Sequence, residues 1–302
     1  MKKTDIKKII LIICSAVLSV GLCASIGFNI YFSFWYIKGD SYLQETEEIY
    51  IMEAGILKNN LEFHEGQNFE LKYNFSHENY EVLKSKYDLE KTAKDGTEFE
   101  RALRLMDEYA PRLTHKSDYD NHIPINALEL LEYSLDNKSN GINCRSKAQI
   151  LNEMCLSLEI YARKVWIMPY SGYDGDCHVV NEIWDKTLDK WVMLDITNNT
   201  YWVDENKTPL SVLEIREKAA MREFCTPVEV GDGTDDLQSV KNKNIGNFLY
   251  IVKNIVYTEY CTEYTVGESK GYFLLMPKNI PTEYELLISK TAVESSPIPV
   301  IN

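Results

Sequence analysis

Between Ile9 and Ile37 the chain runs for 29 residues without a charged side chain. With a rise of 1.5 Å per residue, a helix of about 20 residues already crosses the hydrocarbon core of a bilayer. A secretory signal has an apolar stretch of only about 7–15 residues, so a transmembrane helix is the better reading of this run. Cys14 and Cys23 follow Ile13 and Leu22, not the small residue a lipoprotein signal needs. Lys2, Lys3, Lys7 and Lys8 precede the span, whereas Asp40, Glu45, Glu47 and Glu48 follow it. The positive-inside bias then puts the amino terminus in the cytoplasm and the bulk of the chain outside. Tyr31, Trp35 and Tyr36 suit an aromatic belt at the outer interface. The expected location is the cell membrane, single-pass, with the main domain extracytoplasmic and the membrane a partner through this helix alone.

Charge narrows the remaining partners. The 302 residues carry 32 basic and 46 acidic side chains, a net charge of −14. Setting aside the five lysines and one aspartate of the first 38 residues leaves 27 basic against 45 acidic. Nucleic acid and anionic lipid surfaces need cationic patches that displace counterions, so neither is expected. No Gly-rich phosphate loop is present, and five scattered histidines suggest no metal centre. No cofactor or metal is expected.

Hydropathy patterning divides the chain into a cytoplasmic tail (1–8), the membrane helix (9–37), an acidic juxtamembrane stalk (38–60), a main domain (61–225) and a β-rich extension (226–302). Phe69–Phe75 reads as a short strand. Helical spacing marks Glu98–Tyr109, ended by Pro111, then Asn126–Leu135, and a third helix over Ala148–Ile160. The period then changes to alternation. Val165–Met168, His178–Trp184 and Trp191–Ile196 read as strands, the last two around a tight connection. Pro209–Ala220 reads as a helix, with Ser211 and Glu214 spaced as a capping box. Asn247–Thr258 and Tyr272–Met276 read as further strands. The fold class is α+β, helices packed on an antiparallel sheet.

Three residues from separate stretches form a chemical set. Cys144 stands at the start of a helix-prone segment, where free amides and the dipole favour a thiolate. The same amides can donate to an oxyanion. Such a nucleophile needs a histidine as base and acid, and the histidine needs an orienting acceptor. His178 and Asp195 meet those needs by parity. An even-numbered connection between Trp184 and Trp191 makes the numbers of facing residues add to an odd constant. Even-numbered His178 then shares a sheet face with odd-numbered Asp195. Asn126 and Asn143 are candidates for a further oxyanion donor. Cys177, next to the histidine, points to the other face. Cys155 belongs to the core, and Cys225 and Cys261 could pair outside the cytoplasm. Trp191 is a core residue or a flank of the cleft. His64, His77, His115 and His122 default to the surface.

The stretch NGINCRSKAQILNEMCLSLEIYARKVWIMP, followed by HVVNEIW and KWVMLDIT, resembles the transglutaminase-like superfamily, whose members share a papain-like arrangement of cysteine, histidine and aspartate. The resemblance spans roughly Asn126–Arg216. It implies that Cys144 is the nucleophile, His178 the general base and acid, and Asp195 the residue that orients the imidazole. Val180 and Ile196 stand where many members have Trp and Pro. The implied activity is attack on an amide bond of a protein or peptide through a thioester, with water or an amine as acceptor. The other reading is a catalytically silent ectodomain that binds a peptide or cell-wall partner in the same cleft.

Overall fold

The computed structural model describes residues 3–64, 69–172, 174–280, 291–292 and 299. The chain forms two compact units, Met1–Ile49 and Tyr50–Asn302. Helix α1 (Lys3–Lys58) supplies all of the first unit that is described. Its segment Leu11–Phe34 has a mean hydropathy of 2.3 and none of it is buried. It is long and apolar enough to cross a membrane, a property that signal anchors and signal peptides share. Tyr31 is exposed, while the side chains of Trp35 and Tyr36 lie outside the described set.

In the second unit, Tyr50, Ala54 and Leu57 near the end of α1 are core residues. Strand β1 (Lys72–Tyr73) comes next, followed by α2 (Glu78–Lys86), α3 (Leu89–Ala93), α4 (Glu98–Tyr109), α5 (Ala127–Asp136) and α6 (Cys144–Ser157). Then come β2 (Ala162–Met168), β3 (His178–Asp185), β4 (Lys190–Asp195), β5 (Thr200–Asp204), α7 (Val212–Met221) and β6 (Cys225–Glu229). The rest is α8 (Leu237–Lys243), α9 (Ile245–Asn254), β7 (Tyr257–Tyr264), β8 (Lys270–Leu275) and β9 (Thr291–Ala292). The strands make one sheet in the order β6-β5-β4-β3-β2-β7-β8-β9, with β1 on β7. Pairing is antiparallel except for β1 with β7 and β8 with β9. The α+β architecture is the expected one.

The helices start where side chains replace missing backbone partners. Thr97 and Glu100 close a capping box on α4, and Ser211 and Glu214 close the expected one on α7. Asn126 caps α5 and Asn143 caps α6. Each such cap is worth about 1 kcal/mol. Helix α6 begins at Cys144, four residues before its apolar stripe, because the Asn143 cap and not burial fixes its first turn. It ends at Ser157, and the expected tail to Ile160 is instead the turn into β2.

Alternation splits the core into two layers. Ile183, Val192 and Leu194 face the layer of α4, α5 and α6, whereas Val180, Trp184, Trp191 and Met193 face the layer with α7 and α9. Trp191 is buried under the Arg163 guanidinium, 3.9 Å from its ring centroid, so it is a core residue and flanks no cleft.

Two expectations fail. Asn247–Thr258 is mostly the helix α9, and only its last two residues enter β7. Cys225 on β6 and Cys261 on β7 are separated by β5, β4, β3 and β2, hence by about 24 Å at the usual strand spacing. A disulfide needs Cα atoms within about 7 Å, and both residues are free buried thiols.

Candidate active site

The three residues singled out from sequence come together at one end of the sheet. Helix α6 brings Cys144 from one layer, and Asn181 of β3 donates to the Ala148 carbonyl to hold the helix on the sheet (2.9 Å). In the β3–β4 hairpin Trp184 faces Trp191 across a loop of residues 186–189, so facing residue numbers add to an odd constant as expected. Continuing that register sets Asp195 against position 180, a diagonal from His178. Their side chains meet, with His178 Nε2 2.9 Å from Asp195 Oδ2. The other ring nitrogen remains for the Cys144 thiol, whose ionisation the imidazole and the Val179 amide both favour.

Asp195 does two jobs at the strand end. Its Oδ1 accepts the Thr197 and Asn198 amides (3.0 and 3.3 Å), closing the turn after β4. Its Oδ2 accepts the Asn198 side-chain amide at 2.7 Å as well as the imidazole. Every lone pair is thereby occupied, which fixes the carboxylate and through it the ring.

The electrostatics favour an ion pair. Burial pushes the Cys144 thiol up, but its hydrogen bond to His178 and the charge of that ring outweigh burial and bring it below the ordinary value. Burial pushes His178 down, and the charge and hydrogen bond of Asp195 overcome this and raise it to about 10. Asp195 is fully buried, which pushes it up, yet His178 and Asn198 hold it below the usual carboxylate range. His178 is 2% exposed and Cys144 is half-buried, so the sulfur is the open end of the chain of three.

The oxyanion donors are backbone. Asn143 Oδ1 takes the Ser146 amide, and the Asn143 carbonyl takes that of Lys147. The amides of Cys144 and Arg145 have no partner among the described residues. Asn143 spends its own side-chain amide on Asn121 (3.1 Å), and Asn126 is engaged with Glu129. Each of the two candidate asparagines thus holds its side chain in local contacts, as a helix cap and as a donor to a neighbour.

Three residues were missed. Tyr250 on α9 places its ring against the imidazole, with centroids 5.6 Å apart, and its hydroxyl donates to Asp176 at 3.2 Å. Asn198 braces Asp195, and its neighbour Asn247 on α9 approaches it at 3.4 Å. Read as a strand, α9 gave no reason to place Tyr250 and Asn247 together on this side. His115 is exposed, as expected, but it lies near the site, where it feels Lys147, His178 and Asp195. Among the described residues no cluster of histidine, cysteine and carboxylate has metal-binding geometry.

Residues 85–196 match the family model described as Transglutaminase-like superfamily, and this span holds all three site residues. The chain therefore carries a transglutaminase-like domain. No curated protein matches it. Among solved structures it is similar to an inferred cysteine protease from Cytophaga hutchinsonii at 16% identity and a TM-score of 0.32, over 50% of this chain and 49% of that one. An inferred protease from Parabacteroides distasonis matches at 15% identity and a TM-score of 0.27, over 48% of this chain and 29% of that one. The chain thus spans about half the length of the first and under a third of the second, and both superpositions are loose.

Proposed function

We propose that the protein is a membrane-anchored thiol hydrolase acting on amide bonds of proteins or peptides outside the cytoplasm. The observation that supports this best is the sequence of contacts from the Cys144 thiol to the His178 ring and on to Asp195 Oδ2. The Cys144 thiolate attacks the amide carbonyl carbon, and the oxyanion is held by the Cys144 and Arg145 amides. Imidazolium His178 gives its proton to the departing amine as the C–N bond breaks, leaving a thioester. Water, losing a proton to His178, then attacks the thioester and releases the acid and the thiol. Asp195 keeps the ring oriented and its positive charge compensated throughout. Water is the acceptor because it reaches an open, half-buried sulfur without a binding site of its own, which an amine acceptor would need.

The exposed apolar helix supports the anchor, and the lysine-before, acid-after charge order supports the orientation. The acidic exterior favours neutral or cationic protein substrates at long range. Incubating the purified protein with a peptide library and analysing products by mass spectrometry tests the reaction. New termini that vanish in Cys144→Ala are expected. Cross-linked or aminated products in place of new termini would reassign the acceptor, and no Cys144-dependent product would favour the silent binding module.

A further inference from the structure

One turn along α6 from Cys144 stands a charge that the proposed chemistry does not use. Lys147 is 2% exposed, yet its ammonium has no hydrogen-bond or ion-pair partner among the described residues. It is not the counter-ion of Asp195, whose two oxygens are already filled by His178, Thr197 and Asn198. It is not paired with Cys144, whose thiol faces His178. Its charge is nonetheless felt at the site, since burial lowers its pKa while Asp195 and Cys144 act to raise it, and it acts in turn on His115. Most of the side chain is buried and the ammonium has lost much of its hydration without gaining a partner, which is unfavourable, while its tip keeps an outlet to solvent. By contrast, the buried Lys164 on the same face of the sheet donates to Gln149 Oε1. Helix α6 adds two unpaired first-turn amides and the positive end of its dipole to the same corner.

We propose that Lys147 is an anion-recognition residue, whose ammonium receives a carboxylate of the substrate beside Cys144. Resting on the thiol-hydrolase reading, this names the substrate class as peptides with a carboxylate next to the scissile amide, supplied by an acidic side chain or by a free C-terminus. Long-range repulsion from the acidic exterior makes such a local cation the more necessary.

The test needs no turnover. Iodoacetate and iodoacetamide are nearly isosteric alkylators of Cys144 that differ by one negative charge. In the full chain, Lys147→Met is expected to lower the ratio of the iodoacetate to the iodoacetamide rate by about tenfold, and Lys147→Arg to keep it. Circular dichroism of each variant verifies folding, and Lys147→Gln serves if Met does not fold. A ratio that neutral substitution leaves unchanged overturns the proposal. So does an equal fall in both rates, which would make Lys147 a tuner of the thiolate. Uniformly slow iodoacetamide labelling in the unaltered protein would instead sink the enzyme reading, while the ratio remains measurable. The α-monoamide of N-acetylaspartate, which keeps only the side-chain carboxylate, and N-acetylalanine, which keeps only the terminal one, are used as protectants against iodoacetamide to separate the two sources. Protection by either supports the proposal, and protection by neither overturns it.

Discussion

The Tyr250 ring stands edge-on to the His178 imidazole, and its hydroxyl is tied to Asp176, which also receives Lys253 Nζ at 3.2 Å. A ring in that place keeps water from the bond between His178 and Asp195, and a hydrogen bond in a low dielectric is stronger than one in water. Tyr250→Phe keeps the ring and should leave Cys144 alkylation within about threefold of the parent. Tyr250→Ala opens the ring to solvent and should slow alkylation at pH 7 by roughly tenfold. Equal rates in all three proteins would mean that the ring is packing alone.

The pH profile has a defined sign. Amide hydrolysis requires the thiolate with a protonated imidazole beside it, whereas alkylation requires the thiolate alone. Both rates should rise through a range below the ordinary thiol value of about 8.5, and the hydrolysis rate alone should fall as His178 deprotonates near 10. The two limbs belong to the pair and not to either residue singly. Folding raises the His178 pKa, so its contribution to stability is complete below the ordinary histidine value of about 6.5 and decays as pH climbs towards 10. Iodoacetamide rates, peptide hydrolysis rates and urea melts across pH 5 to 11 would measure these effects. A single limb centred on the ordinary thiol value would show an unassisted cysteine.

Asp195→Asn retains an acceptor oxygen for the turn amides but loses the charge that holds His178 protonated. The alkaline limb should move down by more than one pH unit, and amide hydrolysis should fall by roughly 10²–10⁴-fold, the range for loss of general acid–base support. Cys144 labelling at pH 9 should suffer less than hydrolysis, because a free thiolate needs no imidazolium there. A variant with parental hydrolysis would remove Asp195 from the proposed chemistry.

A buried ion pair behind the site sets a stability prediction. Arg163 and Glu182 are both 1% exposed and meet at 2.7 Å, and Glu182 Oε1 also accepts the Val212 amide at 2.8 Å, at the start of α7. Glu182→Ala leaves a guanidinium without its carboxylate and should cost about 3–5 kcal/mol in urea unfolding. A loss below about 1 kcal/mol would show that the cation is adequately held by the Trp191 and Tyr260 rings, 3.9 and 4.5 Å from it.

The site was legible in sequence wherever one local rule fixed the geometry. Alternation and an even hairpin placed His178 beside Asp195, and the helix-prone segment after Cys144 placed it on a first turn. What failed was α9. Its apolar residues Phe248, Ile251, Val252 and Ile255 have helical spacing and are all buried, but the run is rich in β-branched and aromatic residues. Propensity suggested a strand, and burial of a helical face against the sheet overrode it. Tyr250 and Asn247 were lost with it. Asn198 was hidden because a side-chain brace within a turn leaves no periodic trace. The Cys225–Cys261 pairing could not be judged from sequence, since only strand order shows that the two cysteines lie far apart.

Strand β7 lies against β2 through Trp166, Ile167 and Met168, although it follows the family-matched span by sixty residues. A fragment excised at the limits of that span would strip β2 of this neighbour and β4 of β5, baring unpaired backbone on both flanks of a three-stranded remnant. Such a fragment should self-associate into insoluble material instead of behaving as a portable catalytic cassette, and the late strands are better regarded as part of its hull.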